Sequence, residues 1–269
     1  MDEGLFGPES VSWRVHRETT VLFGGARAIL MQAAHPLVIA GARETGFYER
    51  NPWQRLERTL RLTYAITFGT RDEAMRAVER INDVHALVRG TDPVTGKRYE
   101  ALDPKLLLWV HSVLVESALL FERLTVGGLD EAERQRFHEE QMLSAELLGV
   151  PRAMIPPTLG ELRAYIKGVI GSGDLIVTDA ARTVAELFRN PPPEATWRPI
   201  LRVVAKWAFG TLDPRLRAMY GYRWSPAHEA AMRASLAGLR AVRPLLPPKV
   251  RLIVPAEQAA ARVGGAAGK

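Results

Sequence analysis

Apolar residues recur every three or four positions along most of this chain. Few windows alternate with period two over a useful length. That spacing gathers apolar side chains into one stripe of a helix. It predicts short helices over Ser10–Glu18 and Thr20–Ala33. A third, over Pro36–Arg43, follows a break at His35-Pro36, because the proline removes a backbone donor and restricts the residue before it. "GFYERNP" reads as a loop. Pro52 then opens a helix capped by Asn51, which runs to about Thr67 and ends at Gly69.

"TRDEAMRAVERINDVHALVRG" is the next helix, with Thr70 as cap, acids in its first turn and Gly90 just past its end. "TDPVTGKRY" has turn chemistry throughout. Asp103-Pro104 opens a helix carrying "LLLWVHSVLVESALLFERL" to Leu124, and its few charges make it the central, buried one. Asp130–Leu148 is a charged helix stopped by Gly149 and Pro151. Thr158 and Glu161 form a capping box for the helix after it. Helices over Thr178–Phe188, Pro199–Phe209, Pro214–Tyr220 and Pro226–Arg240 complete the series, with "RNPPPEATW" as a rigid turn before Pro199. The small, Gly-ended tail over 256–269 is expected to fray. No repeat and no long linker divides the chain, so the reading is all-α, a single globular multi-helix domain over 1–269.

The chain has 269 residues, 47% hydrophobic and 25% charged, and a length that can bury a core wide enough for a cofactor. Its net charge of +6 is spread over helices beside acids such as Glu73, Glu79, Glu131 and Glu133, with no run of five or more basic residues. No nucleic-acid partner is therefore expected. The absence of cysteine excludes disulfides, thiolate zinc sites, iron–sulfur clusters and a thiolate-ligated haem. The start "MDEGLFGPES" is too polar for a signal peptide, and "AAHPLVIAGA" is about half the roughly 20 residues a membrane span needs. A cytoplasmic protein with no membrane span is expected.

One histidine stands on an apolar stripe. Ala74, Val78, Ile81, His85 and Val88 follow one another at spacings of four, three, four and three, so His85 faces inward. It is a packed core histidine, an acid/base or a metal ligand, and burial would keep it neutral, the form a metal needs. On the preceding helix Arg55 and Thr59 share a face with Leu62 and Ile66. An inward Arg55 needs an anionic partner, such as a cofactor carboxylate; otherwise it snorkels to the surface. His111 lies in a helix apolar nearly all round, and His35 is constrained by Pro36. The paired Glu-x-x-His of di-iron carboxylate proteins is missing. His16, His138 and His228 stand beside charges and read as surface residues.

The segments "AHP", "NPWQRLERT", "FGT", "VHALVRGTD", Tyr99-x-Ala-x-Asp-Pro104 and "LLLWVHSVLVES", in this order, resemble the DUF2236 family. This is the oxygenase catalytic domain shared by latex clearing protein (rubber oxygenase) and the fungal mpaB oxygenase, and the resemblance covers about residues 10 to 245. It implies a globin-like helical core that binds haem b. The family's proximal ligand lies in an H-x-x-V-R segment, matched by His85, Val88 and Arg89. Its Arg-x-x-x-Thr is matched by Arg55 and Thr59, and His111 is the rival ligand. Where rubber oxygenase has a lysine before that threonine, on the distal side, this chain has Arg58. Glu44 stands near the place of the catalytic glutamate, and with Arg58 and His35 it makes the set of distal candidates. The reading implied is a haem-b oxygenase acting with dioxygen on a small apolar or isoprenoid-like substrate. Rubber itself is not the expected substrate, given Arg58 and the polar start. The alternative is a non-catalytic helical protein that binds or senses haem.

Overall fold

The computed structural model describes residues 2–44, 52–191 and 197–264. Its helices are α1 (Val11–His16), α2 (Thr19–Leu22), α3 (Gly24–Ala33), α4 (Pro36–Glu44), α5 (Pro52–Phe68) and α6 (Arg71–Leu87). After two short strands come α7 (Pro104–Thr125), α8 (Glu131–Leu147), α9 (Leu159–Ser172), α10 (Asp179–Arg189), α11 (Arg198–Gly210), α12 (Pro214–Met219), α13 (Pro226–Val242), α14 (Pro248–Arg251) and α15 (Val254–Gly264). The Asn51 cap, the loop over 46–51 and most of the proline turn before α11 lie outside the described residues.

The expected central helix is central. α7 is wrapped by α2, α3, α8, α9 and α13, and its Trp109, Val113, Leu119 and Phe121 are buried in the main core. Asp103 caps it by accepting from Lys105 N at 2.8 Å. By length and composition it is also the one described helix able to cross a membrane. The capping boxes on Thr70, Asp130 and Thr158 all form. At His35-Pro36 the chain turns by 104° between the helical stretch Thr19–Ala33 and α4, as the proline predicts.

Two ion pairs tie distant parts of the chain together. Arg27 on α3 meets Glu116 on α7 at 2.6 Å, and also donates to Ser117 Oγ and to the Thr211 carbonyl. Buried Glu18, between α1 and α2, takes both arms of Arg243, just past α13.

The structure corrects three expectations. First, α6 stops at Leu87 rather than at Arg89, just before Gly90. Val88 is extended, and Arg89–Thr91 (β1) pairs antiparallel with Arg98–Glu100 (β2). The turn residues read from the sequence do make the turn: Asp92 accepts from Val94 N and Thr95 N, and Gly96 takes φ +69°. Three-residue strands are too short to show a period of two, which is why they read as loop. Second, the tail does not fray from 256. Within 254–264 it is α15, with Ala256 and Ala259 packed against Trp13 and Phe68, and Arg262 donating to the Phe68 carbonyl at 2.7 Å. Third, two histidines read as surface residues pack inside. His138 is fully buried, and its Nε2 donates to the Pro156 carbonyl at 2.8 Å. His16 lies against the Phe137 ring, centroids 5.4 Å apart. Their helices are flanked by other helices on more than one side, so neighbouring charges did not mark a solvent face. His228 is exposed as read, and its Nδ1 helps cap α13.

Candidate functional site

The hairpin, α4 and the ends of α5 and α6 meet at one corner of the molecule. Gly41 on α4 lets it form, since a Cβ there would sit 3.2 Å from Val88 Cγ1 and 3.5 Å from the Tyr99 ring. At Gly90 a Cβ would lie 2.7 Å from the Tyr99 hydroxyl, so a side chain on β1 would push Tyr99 out. Tyr99 is buried between them and donates to Glu44 Oε2 at 2.9 Å, at the last residue of α4. Burial, then the Glu44 carboxylate, pushes the Tyr99 phenol up to about 12. Tyr99 therefore stays a hydrogen-bond donor at neutral pH. It entered the sequence reading only as part of a motif. Only its cross-strand position against Gly90 reveals its contact with Glu44.

His85 completes the last turn of α6 beside this corner. It is half-buried, on the predicted stripe with buried Ala74, Val78 and Val88. Its Nδ1 is buried and has no hydrogen-bond partner among the described residues. A buried ring nitrogen left unpaired costs free energy, so such an atom calls for an explanation. Burial first, and then the Arg55 guanidinium, hold the imidazole below the ordinary histidine range, so it is neutral at pH 7. Arg55 thus lies close to His85. It does not point away into solvent: its Nη1 donates to the Ala42 carbonyl on α4 at 2.9 Å. A shallow cleft of about 40 Å³ opens here, lined by His85, Ala86, Val88, Arg89, Glu100 and Leu102.

The structure brings His85, Arg55 and Glu44 to this corner, and Arg58 and Thr59 one turn along α5 from Arg55. Arg58 is half-buried and Thr59 exposed. His35 and Glu44 are separated by the whole of α4, a rise of about 13 Å at 1.5 Å per residue. They cannot serve one reacting atom together. His35 has a buried, unpartnered Nδ1, and its nearby charges are Asp174, Asp103 and Lys97. His111 sits in another place again, near His138, with its Nε2 buried and unpartnered. The inward histidines therefore do not converge, and no group of three metal-binding side chains occurs among the described residues.

Burial, with His138 adding to it, lowers His111 to about 3, and burial lowers His16 to about 4 from the ordinary 6.5. The unfolded chain takes these protons from about pH 6.5 downward, and the native one does not. Their contribution to stability is intact above pH 6.5 and is lost as the pH falls toward 4. Each histidine steepens the loss by up to about 1.4 kcal/mol per pH unit. Replacing His111 with Gln should flatten the fall of unfolding free energy between pH 6.5 and 4 in urea titrations. An unchanged slope would mean that native His111 titrates normally.

A family model described as the catalytic domain of ER-bound oxygenase mpaB/B' and rubber oxygenase matches residues 13–241. Uncharacterized proteins of Mycobacterium bovis and Mycobacterium tuberculosis are each 27% identical over 237 residues, covering 85% of this chain and 91% of the relative. No solved structure matches the chain.

Proposed function

Since the chain belongs to the family of mpaB and rubber oxygenase catalytic domains, we propose that it is a haem-b-dependent oxygenase acting on a small apolar or isoprenoid-like substrate, with His85 as the proximal iron ligand. The observation that carries this reading is the buried, neutral His85 imidazole whose Nδ1 has no partner. The donor chemistry suits haem b. One imidazole suffices, because the macrocycle brings four nitrogens of its own, and a cationic Arg55 beside it suits a propionate. The cleft of about 40 Å³ is far below the roughly 300–1,000 Å³ of ligand pockets, so loading requires its walls to part. α5, which carries Arg55, has its buried residues Ile66, Thr67 and Phe68 at the far end.

Bound haem b would supply dioxygen activation. The residues of the corner would do the rest. His85 would hold the group from α6 and stay unprotonated. Arg55 would neutralise a carboxylate. Glu44, held by the Tyr99 hydroxyl, is the carboxylate placed to accept a proton from an apolar substrate, and Tyr99 keeps it in position. Oxygen uptake by haem-loaded protein, screened with short isoprenoids, tests the reading. Substrate-dependent uptake that Glu44→Gln removes supports it. Haem binding with no uptake on any of them favours the second reading, a haem-binding protein without turnover.

Arg55→Ala should lower haem retention. A charge-assisted hydrogen bond contributes about 1.5–3 kcal/mol, so retention should fall roughly ten-fold or more. Transfer of haem to apomyoglobin measures this. An unchanged transfer rate would show that Arg55 serves the fold, as in its bond with the Ala42 carbonyl, and not the haem.

A further inference from the structure

A larger cleft than the one at His85 lies against α8. Its volume is about 400 Å³, and it is lined by Glu139 and Met142 of α8 and by Arg152, Ala153, Ile155 and Pro157 of the segment that follows. That volume falls within the roughly 300–1,000 Å³ of small-molecule sites. Met142 and Ile155 are buried in a small core with Leu107, Leu108, Ala145 and Val150, so they make an apolar floor. Glu139, Arg152, Ala153 and Pro157 are exposed and make the rim.

The two sides of the cleft are tied together by hydrogen bonds. His138 Nε2 donates to the Pro156 carbonyl at 2.8 Å. Gln135 Nε2 donates to the Pro157 carbonyl at 3.2 Å, and Gln135 Oε1 accepts from Leu159 N at 2.9 Å. Three bonds thus run from α8 to residues 156–159, and they give the buried His138 a structural task. A cleft whose walls are already ordered loses less entropy when a ligand enters.

The lining favours one kind of ligand. Pro156 and Pro157 have no N–H, so that stretch of wall offers carbonyl acceptors and no backbone donor. Arg152 is the one cation of the lining, and Glu146 takes it at 2.6 Å. Glu139 makes no ion pair among the described residues. Its Oε1 accepts from Gln135 Nε2 at 2.9 Å, which leaves Oε2 for a donor. With Glu146 counted, two carboxylates stand against one guanidinium, over an apolar floor.

We propose that this cleft binds a small organic ammonium ion, with its charge on Glu139 and its apolar body over Met142 and Ile155. The inference is independent of the haem assignment. The test is methyl NMR of the full chain, titrated with pentylammonium, pentanoate and pentanol, three probes of one size that differ in head group. Pentylammonium is expected to shift the Met142 and Ile155 methyl resonances saturably, and more weakly in high salt. Pentanol should bind less well, and pentanoate should leave both resonances in place. Glu139→Gln should lower the affinity for pentylammonium roughly five-fold, the scale of an exposed charge pair. Glu139→Lys should turn the preference toward pentanoate. Glu139 is exposed, so both variants should keep the parental circular dichroism. The proposal is overturned if pentylammonium moves neither methyl resonance, or if pentanoate or pentanol binds as well as pentylammonium. It is also overturned if Glu139→Gln binds pentylammonium as the parent does.

Discussion

His85→Ala is expected to abolish stoichiometric haem binding while leaving a helical protein. The side chain sits on the last turn of α6, half-buried, and its unpartnered Nδ1 makes no hydrogen bond that the fold would miss. Removing it deletes the proposed iron ligand and little else, so the loss should be of the Soret band rather than of the circular dichroism. His111→Ala is the matched control. It removes a more deeply placed imidazole next to His138, with no link to Arg55, and should cost stability while haem content per folded molecule holds. A His85→Ala protein that keeps parental haem content and Soret position would sink the assignment. Loss of the Soret band in His111→Ala alone would transfer it to His111.

Arg27→Ala should be the most destabilising single change among the charged residues. The guanidinium bridges α3, α7 and the residue after α11 through Glu116, Ser117 and the Thr211 carbonyl. Removing it leaves Glu116 with no counter-charge in a largely enclosed place, which typically costs about 3–5 kcal/mol. At roughly 2–4 °C per kcal/mol for a domain of this size, the melting temperature should fall by about 10 °C. Arg27→Met/Glu116→Leu removes both charges and fills the space, so it should recover most of the loss, since apolar replacement of a buried pair is often neutral. A fall of under about 1 kcal/mol in the urea unfolding energy of Arg27→Ala would show that the pair is effectively solvated.

The site was legible in part. His85 stood out because four apolar residues at helical spacing put it on an inward stripe, and a stripe is a local property of a single helix. Arg55 was legible as a residue needing an answer, either an anion or water. The structure supplies a different first partner, the Ala42 carbonyl on α4, thirteen residues earlier. Glu44 was found by neighbourhood alone. What holds it is Tyr99, fifty-five residues later, and no pattern within either segment announces that bond. His138 was misread for the same kind of reason: charged neighbours in sequence say nothing about a second helix packed against the same turn.

The sequence by itself determined most of the helices, several of their caps and their order. Apolar period, Thr and Asp caps with Glu three residues on, and Pro at first turns are interactions within about four residues, and they form almost wherever they are written. It also determined which helix is central, since a segment as apolar as α7 has no other place that removes it from water. The tertiary structure decided what depends on distance along the chain. It paired the three-residue strands that make the corner with α4, docked α15 onto Trp13 and Phe68, and separated His35, His85 and His111 into three places. Each of these needs two segments to find one register. That choice is made by the summed burial and hydrogen bonding of the whole core, which no local window contains.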